Sequence, residues 1–143
     1  MREKIQSDVV AGELKEKEFK ESIESKWNCQ LKKLAIDYRF DYVVLKQGKI
    51  KAFLEIKKRN FKTKDFPDSM INLNKWMKAK ELRDSTKLPT ILACRYIDKD
   101  IYCNLTDDTA YELKWGARTK NTRDWQDIQP AVHITISQFK DLV

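Results

Sequence analysis

Histidine is nearly missing from this chain: His133 is the only one in 143 residues. That scarcity rules out two-histidine ribonucleases and histidine-rich metal centres, and leaves a Ser-His-Asp hydrolase a single imidazole to draw on. His133 itself lies inside Ala131-Val132-His133-Ile134-Thr135-Ile136, an apparent strand, and reads as a structural residue. Cysteine is equally sparse. Cys29, Cys94 and Cys103 are odd in number, widely spaced and in no Cys-x-x-Cys pair, which argues against a zinc site and more strongly against a disulfide framework. They read as small buried apolar residues in a reducing compartment. With three Gly and three Pro there is no flexible linker and no low-complexity segment. Long apolar runs are missing as well. Stretches such as Leu34-Ala35-Ile36 and Ile91-Leu92-Ala93-Cys94 fall far short of the roughly 18 residues that span a bilayer. Met1-Arg2-Glu3-Lys4 leads into no apolar segment, so no secretory signal is expected and the protein is read as soluble and cytoplasmic.

What the chain has in abundance is charge. Twenty-nine Lys and Arg oppose twenty-two Asp and Glu, a formal +7 with a pI near 9.2. Such a surplus suits a polyanionic partner, since each phosphate neutralised releases condensed counterions. Without imidazole or paired thiols, any hydrolysis must be run by carboxylates, lysine and a hard metal ion.

The length fits one domain spanning 1–143. Val9, Gly12, Glu16, Phe19, Ile23 and Trp27 recur at three- and four-residue spacing, which predicts a helix over about residues 8–28. Strands are expected at Leu34–Arg39, Asp41–Leu45 and Ile50–Ile56, with Lys46-Gln47-Gly48-Lys49 as the turn between the last two. In the third strand Ile50, Ala52, Leu54 and Ile56 share one face, and Lys51, Phe53, Glu55 and Lys57 the other. A polar stretch, Arg59–Asp68, leads to a second helix over Ser69–Asp84 with Met70, Leu73, Trp76 and Met77 inward. Leu88-Pro89 ends it. Strands follow at Ile91–Ile97 and Ile101–Leu105 around an Asp98-Lys99-Asp100 turn. A further strand is expected at Tyr111–Trp115, then a basic loop, then a strand and short helix from Ala131. The layout is mixed α/β around one sheet.

The chemistry-bearing candidates are Asp41 and the triplet Glu55-Ile56-Lys57. Glu-x-Lys occurs five times, at Glu13, Glu18, Glu24, Glu55 and Glu112. In a helix a spacing of two turns side chains about 200° apart, so the first three cannot converge. In a strand the same spacing puts both groups on one face, leaving the Glu55 and Glu112 sets, the latter with Asp98 upstream. Register discriminates further. A two-residue Gln47-Gly48 loop with continuous pairing would turn Asp41 into the core opposite Leu54. A three-residue Lys46-Gln47-Gly48 loop, or an equivalent bulge, puts Asp41 opposite Phe53 and on the face of Glu55.

The order helix, Asp-bearing hairpin with Glu-x-Lys, helix, strand resembles the PD-(D/E)XK nuclease superfamily over residues 9 to 97, with Phe40 standing where that pattern has proline. The resemblance implies a restriction-endonuclease-like α+β core (αβββαβ) and a metal-dependent DNA endonuclease. In length and motif order the chain is similar to small intron-encoded homing enzymes, although position 55 is Glu rather than Gln. A phage or mobile-element enzyme is therefore the first reading. A branched-DNA or Holliday-junction resolvase, and a non-catalytic nucleic-acid-binding module on the same fold, stand as alternatives. Double-stranded DNA is the implied partner and a homodimer or homotetramer the implied assembly.

Asp41 and Glu55, with the Ile56 carbonyl, would hold Mg2+, or Mn2+ in its place. Lys57 would orient the attacking water and stabilise phosphorane-like charge. Glu16, the one acid in the first helix's apolar stripe, is a further ligand candidate, as the superfamily often draws a glutamate from that helix. Lys58, Arg59, Lys62, Lys64 and Lys75, with Arg118, Lys120 and Arg123 in the later loop, are candidates for DNA contact.

Overall fold

A computed structural model describes residues 2–115 and 129–143, with side chains from Lys15 onward. The chain opens with helix α1 (Arg2–Trp27) and strand β1 (Gln30–Lys33), followed by a 3-10 turn at Ile36–Tyr38. Strands β2 (Tyr42–Lys46) and β3 (Lys49–Lys58) form a hairpin. Strand β4 (Asp68–Asn72) runs directly into helix α2 (Leu73–Thr86). Then come β5 (Thr90–Arg95), β6 (Asp100–Leu105), β7 (Glu112–Lys114), β8 (Ala131–Thr135) and β9 (Lys140–Asp141).

Six strands form the main sheet in the order β1-β2-β3-β5-β6-β9, and β4-β8-β7 form a smaller one. Every pair is antiparallel except β3 and β5. A parallel pair needs a long crossover, and β4 with α2 supplies it. This is the mixed α/β arrangement of a restriction-endonuclease-like fold.

Strand β3 lies inside the main sheet and is covered on both faces, so Ala52 through Ile56 are all buried. Ala52, Leu54 and Ile56 join Phe19 and Ile23 of α1 in one core layer, together with Tyr42, Val44 and Ala93. Phe53 faces the other layer with Ala79 and Leu82 of α2, Leu92 and Cys94 of β5, and Val132 and Ile134 of the small sheet. Burying a Leu54-sized side chain stabilises the fold by about 1.5–3 kcal/mol. The expected α1 stripe therefore holds at Phe19, Ile23 and the half-buried Trp27, whose ring meets Tyr102 edge-on at 5.4 Å.

Several local expectations are corrected. The first strand ends at Lys33, and Ile36 belongs to a 3-10 turn with its side chain 91% exposed. Met70 lies in β4 opposite His133 rather than in a helix. The strand wins because β8 satisfies its backbone groups and Ser69 and Ile71 reach the core, whereas a helix from Ser69 would leave that edge unpaired. Met77 is 58% exposed, because α2 turns Ala79 and Leu82 inward. Helix α2 stops where Lys87 enters the left-handed region, φ 61°, and returns its N–H to the Arg83 carbonyl ahead of Pro89.

The hairpin is the correction that matters most. Its loop is the two-residue Gln47-Gly48, both at positive φ (52° and 76°), with Lys46 opposite Lys49. Pairing then slips between Val44 and Leu45, so that Val44 faces Ala52 while Leu45 faces Ile50. Lys51 is the extra residue of a β-bulge. The bulge rather than the loop supplies the odd residue, and it leaves Ile50 49% exposed instead of on the core face. Beyond it Tyr42 faces Leu54, which carries Asp41 toward Glu55 rather than Phe53.

Candidate active site

Asp41 sits one residue ahead of β2. Arg39 adopts a left-handed conformation (φ 54°) and Phe40 is buried, so the chain enters the sheet with its direction fixed. The Asp41 carbonyl accepts the Leu34 N–H at 2.8 Å. Its carboxylate Oδ2 accepts the backbone N–H of Ile56 at 2.9 Å, taking the place of a strand partner just before β2 begins. One bond thus ties the Asp41 side chain to the peptide joining Glu55 and Ile56.

Glu55 is 2% exposed, an unusual position for an acid in the middle of a sheet. Two ammonium groups meet it. Lys57 Nζ lies 3.7 Å from Oε2, and Lys75 Nζ, from the first turn of α2, lies 3.2 Å from Oε1. The Lys75 contact is an ion pair without hydrogen-bond alignment, so Oε1 keeps an unfilled lone pair among the described residues. Burial, and then the nearby Asp41 charge, push the Glu55 carboxyl above the ordinary carboxylate range; Lys75 and Lys57 pull the other way. An acid at once desolvated, crowded by a second acid and clamped by two cations is a common signature of a functional site.

The donor set suits a hard divalent cation. Two carboxylates converge, and one of them carries a buried oxygen with no aligned donor. Among the described residues no group of three or more His, Cys, Asp or Glu side chains gathers. Glu16 is not brought into the cluster. Its carboxylate pairs with Lys33 Nζ at 3.9 Å, where β1 offers a counter-charge. Together with burial and Asp41 it raises the Tyr42 phenol to about 12, burial being the largest cause.

The basic candidates divide. Lys75 belongs to the acid cluster itself, a placement with no local signal, since β3 and α2 meet only through the crossover. Arg59 turns its guanidinium to the Met70 carbonyl at 2.8 Å and so braces β4 against the end of β3. Lys62 and Lys64 are exposed on a segment pinned by Phe61, which packs edge-on against Phe66 and Tyr96. Lys58 is half-buried at the end of β3. Arg118, Lys120 and Arg123 lie outside the described residues. His133 Nδ1 donates to the Asp68 carboxylate at 3.1 Å across β8 and β4, a bridge within the small sheet. The rival triplet at Glu112 is exposed on β7, and its Asp98 is held by Thr63 at 2.6 Å instead.

The Asp–Glu-x-Lys convergence on a parallel-crossover sheet has a counterpart among known families. The model of the family described as "Phage putative PDDEXK endonuclease" matches residues 5–142. The chain belongs to that family. It is thereby a member of the PD-(D/E)XK nuclease superfamily, whose nucleases act on nucleic acid and generally depend on a divalent metal. No curated protein and no solved structure gives a match. No helix among the described residues of this PDDEXK-family nuclease is long and apolar enough to cross a membrane.

Proposed function

We propose that the chain, acting as one domain, is a Mg2+-dependent DNA endonuclease whose reaction centre is Asp41, Glu55 and Lys57. The observation that carries this reading is Glu55: a buried carboxylate, crowded by Asp41 and met by Lys57 and Lys75. Asp41 and Glu55, with the Ile56 carbonyl, would hold the cation. When bound, a hard divalent ion polarises a phosphodiester and makes neighbouring water more acidic. The Ile56 N–H fixes the Asp41 carboxylate, so that acid is aimed before substrate arrives. Lys57, on the same face of β3 as Glu55, orients the attacking water and stabilises the negative charge that builds on the phosphoryl oxygens. Lys58, Lys62 and Lys64, continuing from the end of β3, supply positive charge for the flanking phosphates. The family's description favours a phage source.

The test is incubation with supercoiled plasmid, linear duplex and four-way junctions, in Mg2+, Mn2+ and EDTA. Metal-dependent scission that disappears in Lys57→Ala is the expected outcome. A preference for one long site marks a homing enzyme, and preference for junctions a resolvase. Binding unaffected by Mg2+, with no strand cut on any substrate, would replace the reading with a binding module. Sedimentation of the protein on a cleaved duplex measures whether it acts as the symmetric dimer that double-strand cutting calls for.

A further inference from the structure

We propose that Lys75 couples cation binding to phosphate binding: it holds Glu55 in the metal-free protein and passes to a substrate phosphate when a cation takes its place. The inference rests on the reading of Asp41 and Glu55 as cation ligands and adds a role for a residue outside the Asp–Glu-x-Lys motif.

Geometry motivates it. Lys57 and Lys75 approach different oxygens of one carboxylate, 3.7 Å from Oε2 and 3.2 Å from Oε1. Lys57 leaves from the same strand as Glu55, two residues on, so its reach is set by the sheet. Lys75 comes from another element, the first turn of α2, and its flexible stem ends in an ion pair that lacks hydrogen-bond alignment. Of the two, Lys75 occupies the oxygen with the unfilled lone pair, the position a cation ligand must offer.

Charge points the same way. Asp41 and Glu55 are balanced by Lys57 and Lys75, so the cluster is neutral without metal. A divalent cation alone would leave a buried surplus of two positive charges, which is costly at a site as desolvated as Glu55. A phosphodiester and a hydroxide nucleophile restore neutrality. Cation and nucleic acid therefore assist each other's binding, and the lysine released from Oε1 is the group free to meet the arriving phosphate. Lys75 is about one-quarter exposed, so its ammonium can swing outward without unfolding α2.

Calorimetric titration of Ca2+, a hard oxygen-seeking cation, into the full chain with and without a saturating short DNA duplex tests this. Wild type is expected to bind Ca2+ weakly alone and at least about fivefold more tightly with duplex, the low end of ordinary coupling energies. Lys75→Gln should bind Ca2+ alone more tightly than wild type and lose most of the gain from duplex. Lys75→Arg, which keeps the charge, should retain both behaviours. Lys80→Gln removes a like charge from the exposed face of α2, where it pairs with Asp84 and Asp107, and should match wild type. Should Lys75→Gln not fold, Lys75→Met keeps the aliphatic stem and carries the same expectation.

If Lys75→Gln behaves like Lys80→Gln while Asp41→Asn abolishes Ca2+ binding, the coupling role is overturned and the proposed site survives. If wild type binds no Ca2+ in either condition and cuts nothing, both are overturned.

Discussion

Two strands of this protein carry the same three-residue pattern, Glu-x-Lys, and only one of them buries its acid beside a second carboxylate. In β3 the pair Glu55–Lys57 stands 3.7 Å apart; in β7 the pair Glu112–Lys114 stands 3.8 Å apart. The local geometry is thus the same. The surroundings are not. Glu55 is 2% exposed, with Asp41 and Lys75 gathered around it, whereas the Glu112 side chain is 72% exposed on an edge strand. At the surface water screens such a pair and leaves it worth little. Within the sheet the same pair is desolvated and its acid is shifted upward, against the pull of Lys75 and Lys57. The comparison teaches that the triplet supplies reach, while burial and two residues from elsewhere supply chemistry.

Activity should break the symmetry most widely. Glu55→Gln and Lys57→Ala are each expected to lower the plasmid-cleavage rate by about 10²–10³-fold, the usual loss when a group stabilising the transition state is removed. Glu112→Gln and Lys114→Ala should leave that rate within about twofold, as exposed ion pairs contribute little. Equal losses in both strands would show that the wrong triplet had been chosen.

Packing should separate the strands next. Leu54, fully buried beside Glu55, is expected to cost about 2–5 kcal/mol on truncation to Ala, measured by urea denaturation. Leu113, beside Glu112 and 53% exposed, should cost under about 0.5 kcal/mol.

The acids should also differ in how they link stability to pH. Burial raises the folded-state pKa of Glu55 above its unfolded value, so its contribution is fully present below about pH 4.5 and is lost as pH rises through the folded pKa. In EDTA, Glu55→Gln should therefore melt above wild type at pH 8 and converge with it toward pH 4. Glu112→Gln should follow the wild-type melting curve at both. A Glu55→Gln protein less stable than wild type at pH 8 would mean that the lysines outweigh burial.

The smallest effect expected is at the turn that aims β3. Gly48 has φ 76° with open space around the missing Cβ, so Gly48→Ala should cost about 1 kcal/mol through backbone strain alone. Cleavage should persist, because the bulge at Lys51, not the turn, sets the register of Asp41 with Glu55.

Reading forward from residues succeeded where one local rule dominated. Helix α1 was legible from the spacing of Phe19, Ile23 and Trp27, and β3 from alternation and its bounding turn. The requirement that Asp41 share a face with Glu55 called for an odd residue in the hairpin, and a bulge was one of the two ways to supply it. The sequence did not distinguish bulge from loop because Gln47 accepts positive φ at modest cost. Strand β4 looks helical in sequence because Met70, Leu73 and Trp76 have helical spacing. Its pairing with β8 spans some sixty residues and leaves no local trace. For Glu16 the place in the apolar stripe was visible, but its ion pair with Lys33 was not.

By itself the amino-acid order narrowed the chemistries: one histidine and no Cys-x-x-Cys pair offer little for imidazole or thiolate catalysis, and the basic surplus suits a polyanionic partner. It also determined that Glu55 and Lys57 would point the same way, because the two-residue period of a strand is fixed by the backbone. Tertiary structure alone decided which triplet was buried, that Asp41 would be held by the Ile56 N–H, and that Lys75 would reach Glu55 from α2. Those contacts join segments distant along the chain, and their strength depends on how much water the assembled sheet excludes.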